Sequence, residues 1–362
     1  MHPIVSIILL NYNWLKFNKL CINSILQQSY KAFEIVFVDN VSTDGSLEEV
    51  KKIYQKEIQS KKIVIVENTK NTWFAWGNNL WVQYTDKKSE YICLLNNDTT
   101  VPKDRLEELV KGIKSDPKLW AVWSIILDKW YEGVIKRHIL EEKNIYTSSI
   151  FWENILQHFS EKENQNNLAY SSVLSWCSLM YKKNILWNPF PEYYFAYAED
   201  VYLSRYILKS WHKLAYCLTS FVNHYGSGSF GKTISPLKLF HGNKNQIINF
   251  LIFYSIKDII LLFPLFILRE ISHLFLLWWW KRFTAKIKAW IWICKNRKQI
   301  KASKKIIQSA TKITQKQFIE NLSGKLSDPN VFYYHFNRFQ KKIIQWVNKV
   351  FIWYIWLIGK FL

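Results

Sequence analysis

The sequence predicts an α/β protein. A mostly parallel sheet with flanking helices is expected over residues 1–240, followed by a helical, basic and apolar region over residues 241–362. Three observations carry this. Short apolar runs alternate with helical patterns through the first hundred residues, as strands joined by right-handed crossovers do. Each run ends in polar residues, where open α/β sheets bind ligands. Beyond residue 240 the chain holds 21 basic and only 4 acidic side chains.

The elements follow in order. Ser6–Leu10 reads as a buried strand; the apolar run Ile4–Leu10 is short, lacks a basic leader and ends in Asn11-Tyr12-Asn13, unlike a secretory leader. Lys16–Gln28 is a helix with Leu20, Ile22, Ile25 and Leu26 on its apolar face. Glu34–Val38 is the second strand. Leu47–Ile58 is the second helix, capped by Asp44 or Ser46. Ile63–Val66 is the third strand, Asn78–Tyr84 a short helix and Tyr91–Leu95 the fourth strand. Pro102–Ile113 is a helix with proline in its first turn. Lys118–Leu174 reads as loops and short antiparallel strands. Asn249–Leu277 is apolar but interrupted by Lys257-Asp258, Pro264 and Arg269-Glu270, so no clean spanning helix is expected. Ala285–Lys316 is a basic helical segment, and Ile343–Leu362 is apolar with interspersed lysines.

Composition narrows the class. Hydrophobic content of 49% is globular. Five scattered cysteines without CxxC spacing argue against a zinc ribbon or disulfide framework and suit a reducing compartment. Tryptophan outnumbers glycine 19 to 10. Three tryptophans fall in the loop Asn71–Trp81, around Gly77, where turn geometry favours glycine. Together the two residues make up about 8% of the chain, near the ordinary glycine share. The expectation is that many tryptophan positions are glycine, from a gene that reads UGA as glycine. TGG codons at Trp73, Trp76, Trp176 and Trp211 would end that idea.

Four strand ends carry polar clusters: Asn11-Tyr12-Asn13, Asp39-Asn40 with Ser42-Thr43-Asp44-Gly45-Ser46, Glu67-Asn68, and Asn96-Asn97-Asp98. Any one of these is also what a plain turn looks like. Four in sequence describe one crevice.

The blocks SIILLNYNW, IVFVDNVSTDGS, ENTKNTWFAWGNNLW and YICLLNNDTTVP resemble the successive motifs of family 2 glycosyltransferases, with the GT-A nucleotide-sugar fold and the rhamnosyltransferase-like branch nearest. The later stretch from Ser175 to Cys217 and the element NHYGSGS resemble the acceptor loop, acid pair and histidine element of that family. The resemblance covers about residues 3–245. It implies that Asp39 contacts the nucleotide base, with Asn11, Tyr12 and Asn71 lining the nucleotide pocket. Asp98 matches the last acid of the D-x-D motif and would bind a divalent metal, Mg or Mn. Asn96 replaces the first acid of that motif. His224 matches a further metal or diphosphate contact. Asp200 matches the general base, and Glu199 supports it. Trp176 and Cys177 fall in the acceptor loop, and Tyr202 takes no catalytic role.

The resemblance implies an inverting transferase acting on a nucleoside-diphosphate-sugar and a cell-surface glycan or lipid-linked acceptor. Read without it, Glu199-Asp200 is equally a solvated helix start, and His224 a satisfied histidine. The tail interleaves lysines with aliphatic residues, as in Lys286-Ile287-Lys288-Ala289. That pattern suits an anionic membrane surface, which implies a cytoplasmic protein at the inner face of the cell membrane; a helical domain packed on the core is the alternative. The formal charge of +21 also raises a nucleic-acid-binding protein without transferase activity. The charge lies beside aliphatic runs and no nucleic-acid module is recognisable, so no nucleic-acid partner is expected.

Overall fold

The computed structural model describes residues 2–71, 81–128, 144–148, 150, 154–158, 165–175, 177–185, 191, 193–225, 236–276, 280–325 and 337–361. The loop 72–80, with the first three residues of the expected helix Asn78–Tyr84, residues 226–235 and Trp176 lie outside the described residues.

The first half alternates as expected. Strand β1 (Ile4–Asn11) leads into α1 (Leu15–Leu26), β2 (Phe33–Asp39), α2 (Ser46–Ile53), α3 (Gln55–Gln59), β3 (Ile63–Glu67) and β4 (Ser89–Asn96). The single helix expected over Leu47–Ile58 is two. Tyr54 interrupts it at φ −108°, ψ 33°, and its buried hydroxyl donates to Asn23 Oδ1 of α1 at 2.8 Å. The short β5 (Thr99–Thr100) precedes α4 (Arg105–Ser115). That helix begins three residues after Pro102 because Gln28 takes over its N-terminus: Gln28 Oε1 accepts from the Leu106 N–H at 2.8 Å, and Gln28 Nε2 donates to the Pro102 carbonyl at 2.6 Å.

The region read as loops and short antiparallel strands contains β6 (Leu119–Asp128), the antiparallel hairpin of β7 (Asn144–Ser148) and β8 (Asn154–His158), and β9 (Leu168–Ser171). Next come β10 (Ser178–Lys182), α5 (Glu199–Lys209) and β11 (Lys213–His224). Among the described residues, nine strands form one sheet in the order β3-β2-β1-β4-β10-β6-β11-β5, with β9 pairing β11. The first four strands run parallel. β10 is antiparallel to both β4 and β6, so the sheet is mixed at its centre.

Both faces of the sheet are covered, as parallel strands require. Ile7, Leu9, Ile35 and Phe37 pack with α1, α2 and α4. Ile8, Val36, Val38 and Leu94 face the other way and share a cluster with α5 and the C-terminal helices. Those helices are α6 (Pro236–Phe253), α7 (Ile256–Leu276), α8 (Trp280–Lys295), α9 (Arg297–Ala310), α10 (Gln315–Glu320) and α11 (Arg338–Ile358). Ile248, Phe253, Leu262, Phe318 and Phe351 from this region are buried in the same cluster as the sheet residues. Among the described residues, no helix is long and apolar enough to cross a membrane.

Candidate active site

Parallel pairing brings the polar strand ends to one edge. Asn11 of β1 stands opposite Asp39 of β2, and Asp39 opposite Glu67 of β3. On the other side of β1, Leu10 is opposite Asn96 of β4. The local sequence therefore decides where the polar groups sit: each strand's apolar run stops at the same level of the sheet.

Asn11 is the centre of this edge. It is fully buried, and its Nδ2 lies 2.8 Å from Asp39 Oδ1, 2.9 Å from Ser42 Oγ and 2.7 Å from Ser46 Oγ. Its Oδ1 accepts from Asn18 Nδ2 at 2.8 Å and Asn97 Nδ2 at 3.2 Å. Asn97 Nδ2 also reaches Asn18 Oδ1 at 2.9 Å. The carboxamide is thus committed inside the protein, and it ties the acidic strand end of β2 to the Asn96-Asn97-Asp98 segment. Asp39 Oδ2 accepts from the Ser42 N–H at 3.0 Å, which closes the loop after β2.

Asp44 organises the same rim from outside. Its Oδ2 accepts from the Leu15 N–H at 2.9 Å and its Oδ1 from the Ser46 N–H at 3.1 Å. One carboxylate therefore serves the first turns of both α1 and α2, where helix dipoles favour negative charge. Partial burial pushes its pKa up, but the hydrogen bonds from Ser46 and Leu15 outweigh this and hold it below its ordinary value. The N-cap of α2 is Gly45, at φ 78°, so Asp44 acts one residue earlier than a simple cap.

Asn40 Nδ2 donates to Asn71 Oδ1 at 2.6 Å, which brings Asn71 to the end of β2. Tyr12 is half-buried beside Asn11. Asn96 donates its backbone N–H to the Cys177 carbonyl at 3.0 Å, so Cys177 sits against the D-x-D-like segment. Asp98 is buried, and its Oδ2 lies 3.3 Å from His224 Nε2. The end of β11 brings them together: His224 pairs with Thr99, and the Tyr225 N–H donates to the Asp98 carbonyl at 2.9 Å. Among the described residues no cluster of three or more metal-binding side chains occurs. Two protein ligands still suit Mg or Mn, because such ions keep waters and substrate phosphates in their shell. The Asp98 carboxylate fits that donor set, while the His224 imidazole, 3.3 Å away, is a nitrogen donor more usual for softer metals.

Glu199 and Asp200 form the first turn of α5. Asp200 Oδ1 accepts from the Val201 N–H at 2.8 Å. Burial pushes Asp200 up to about 6, against the lowering effect of that hydrogen bond. Burial pushes Glu199 up to about 8, and the neighbouring Asp200 charge adds to it. Glu199 Oε2 is buried with no hydrogen-bond partner among the described residues. The Ser204 hydroxyl donates to the Asp200 carbonyl at 2.6 Å, and its oxygen accepts from the Leu174 N–H at 2.9 Å. The acid pair is thereby tied to the segment leading to Cys177. Two carboxylic acids are held close together with pKa values raised into the range useful for proton transfer near neutrality.

Sequence reasoning missed Asn18 as part of the rim, and it placed Asn97 and Ser46 in the strand-end clusters without their bonds to Asn11. The signal for Asn18 was present: it lies on the buried face of α1, in register with Cys21, Ile22 and Ile25. A carboxamide on an apolar helix face is costly unless it is hydrogen-bonded.

The family "Glycosyl transferase family 2" matches residues 6–188. The match covers the strand ends of β1 to β4 and stops short of Glu199, Asp200 and His224. Glycosyltransferase GlyA of Streptococcus pneumoniae is 25% identical over 178 residues, 48% of this chain and 24% of its own length. TuaG of Bacillus subtilis, named for teichuronic acid biosynthesis, is 29% identical over 106 residues, 29% of this chain and 40% of its own. This chain spans less than half the length of either relative. Two solved structures share the fold. GalNAc-T7 with UDP, GalNAc and Mn2+ aligns at TM-score 0.56 and 13% identity, over 69% of this chain and 48% of the other. S. aureus TarS 1-349 with UDP aligns at 0.50 and 16%, over 75% and 72%. The sheet and its flanking helices are therefore of the GT-A type.

Proposed function

The chain belongs to glycosyl transferase family 2, and from that membership we propose that it moves a hexose or deoxyhexose from a nucleoside-diphosphate-sugar to a cell-surface glycan or its lipid-linked precursor, with inversion. The observation that carries this reading is the continuous polar rim: Asp39 joined through Asn11 and Asn97 to the segment of Asp98, and Asp98 against His224. Asp39, Tyr12 and Asn71 bind the nucleotide, and Asn11 holds Asp39 in place from beneath. Asp98 and His224 hold a divalent cation. When bound, that ion neutralises charge on the leaving diphosphate. Asp200 removes the proton of the acceptor hydroxyl as its oxygen attacks the anomeric carbon, and Glu199 supports it. Cys177 and residue 176 border the acceptor. The name of TuaG, which refers to teichuronic acid biosynthesis, and the UDP in the fold neighbours support the donor and acceptor classes. A screen of UDP-, GDP- and dTDP-sugars with Mg or Mn is expected to release nucleoside diphosphate from at least one donor. Steeply salt-dependent nucleic-acid binding without any release would overturn the reading.

The nearest branch is the rhamnosyltransferase-like one, on the resemblance of the glycine-rich third block when tryptophan is read as glycine. Trp211 supports that substitution. It follows α5 at φ 65°, with its N–H bonded to Leu208 O at 3.0 Å and the His212 N–H bonded to Ile207 O at 3.2 Å. This is the Schellman ending, whose left-handed position glycine normally fills. Mass spectrometry of the protein from its native host is expected to read glycine at residue 211. Tryptophan there would refute the recoding.

The C-terminal region is proposed to rest on an anionic cytoplasmic membrane face. α7 leaves Ile256, Ile260, Phe263, Ile267 and Ile271 exposed along one side, and Lys298, Lys301 and Lys305 of α9 are exposed. Apolar burial and attraction to anionic lipid add in such a surface. The full chain is expected to sediment with phosphatidylglycerol vesicles and much less with phosphatidylcholine alone. Charge reversal of the three lysines should remove the difference; unchanged sedimentation would refute the surface.

A further inference from the structure

The turn that delivers Glu199 and Asp200 is held from a helix outside the part of the chain that matches the family. Tyr197 at φ 69° and Ala198 at φ 59° are consecutive left-handed residues. Side chains disfavour that region, so two in a row persist only when their surroundings impose them. The surroundings here are the side chains of α6. Asn245 Nδ2 donates to the Ala196 carbonyl at 3.0 Å and to the Tyr197 carbonyl at 2.8 Å. Asn249 Nδ2 donates to the Ala198 carbonyl at 3.1 Å, and its Oδ1 accepts from the Tyr194 hydroxyl at 2.6 Å. Lys244 Nζ donates to the Tyr193 carbonyl at 2.6 Å. A carbonyl only accepts, so these bonds fix which way both carboxamides point.

Both asparagines are fully buried on a helix whose other buried residues include Ile247, Ile248, Phe250 and Ile252. Polar groups survive there only where their hydrogen bonds offset the loss of water. One helical turn separates the two, so they reach successive carbonyls of one segment. That segment ends at the first residue of the acid pair.

We propose that Asn245 and Asn249 are positioning residues for the acid pair: they hold the carbonyls of residues 196–198, impose the left-handed turn at Tyr197 and Ala198, and so aim the carboxyl groups of Glu199 and Asp200. This rests on the assignment of Asp200 as the base. Transfer is sensitive to the placement of such a group, since a misplacement of about 1 Å costs about 100-fold in rate. A helix of the C-terminal region thereby takes part in setting the geometry of the reaction.

The test is made on the full chain with Asn245→Ala and Asn249→Ala, and with Asn245→Ser and Asn249→Ser where alanine fails to fold. Amide hydrogen exchange is read over residues 194–204 and, as a reference, over β1 and β2. Exchange about tenfold faster in the first segment with an unchanged reference is the expected result, and it needs no substrate. With the donor that the wild type turns over, kcat is expected to fall about 10- to 100-fold, with the donor KM changed less than about twofold. Asn249→Gln, which keeps the donor on a longer arm, should recover only part of kcat. Unchanged local exchange, or loss of protection across the whole sheet in the serine variants, would overturn the proposal, as would unchanged kcat. Asp200→Asn measured alongside separates the two ideas. Full turnover in that variant removes the base assignment, while the exchange result still decides whether α6 holds the turn.

Discussion

Asp200→Asn is expected to lower turnover by about 1,000-fold, within the range a general base contributes, while leaving nucleoside diphosphate binding unchanged. The substitution keeps the shape of the side chain and its acceptance from the Val201 N–H, but removes the group that takes the proton. Full activity in the variant would overturn the base assignment. The wild type should also show an acid limb in its rate profile near pH 6, because burial pushes Asp200 up to about 6, against an ordinary aspartate near 4. Both carboxyl groups have raised folded pKa values, so the fold favours their neutral forms. The stability they contribute is fully present below their unfolded pKa values and is lost as pH rises through about 6 and then about 8. Glu199→Gln cannot ionise. Its Tm is therefore expected to exceed that of the wild type by a margin that grows between about pH 5 and about pH 9, and a margin independent of pH would contradict the raised value.

Asp98→Ala is expected to weaken metal-dependent donor binding by about 100-fold or more, since even partners one shell removed from a metal cost 10- to 100-fold. The substitution leaves the local backbone in place. The bond from the Tyr225 N–H goes to the Asp98 carbonyl, not to its side chain, and the pairing of β5 with β11 is made by Thr99 and Thr100. Titration of the donor with and without Mn checks it. A variant whose binding matches the wild type under both conditions would remove Asp98 from the metal site.

The sequence made the repeating part of the fold legible. β1 to β4 fall within two residues of the runs that predicted them, because strands buried on both faces are continuous apolar stretches with polar stops. Leu47–Ile58 was misread as one helix because its break comes from a tertiary bond of Tyr54, which local periodicity does not carry. β6 was missed because its partners are distant: β10 and β11 pair with it from more than fifty residues away. The strand ends announced the rim, but not that Asn11 would be buried beneath it. That follows from Asn18, Asn97 and Ser46 meeting from three separate segments. Asn245 and Asn249 were passed over inside an apolar helix, although polar residues one turn apart on a buried face are the sign that something across from them needs donors.

The sheet is closed on one face by helices from its own first third, and on the other by α5 and helices that follow residue 236. During synthesis the first face can be sealed early. The second, with Ile8, Val36, Val38 and Leu94, gains α5 midway but stays partly bare until the last third of the chain has left the ribosome. Such an exposed apolar surface is an aggregation hazard, so the nascent protein is expected to depend on holding chaperones late in translation, and truncations that stop before α6 to be insoluble.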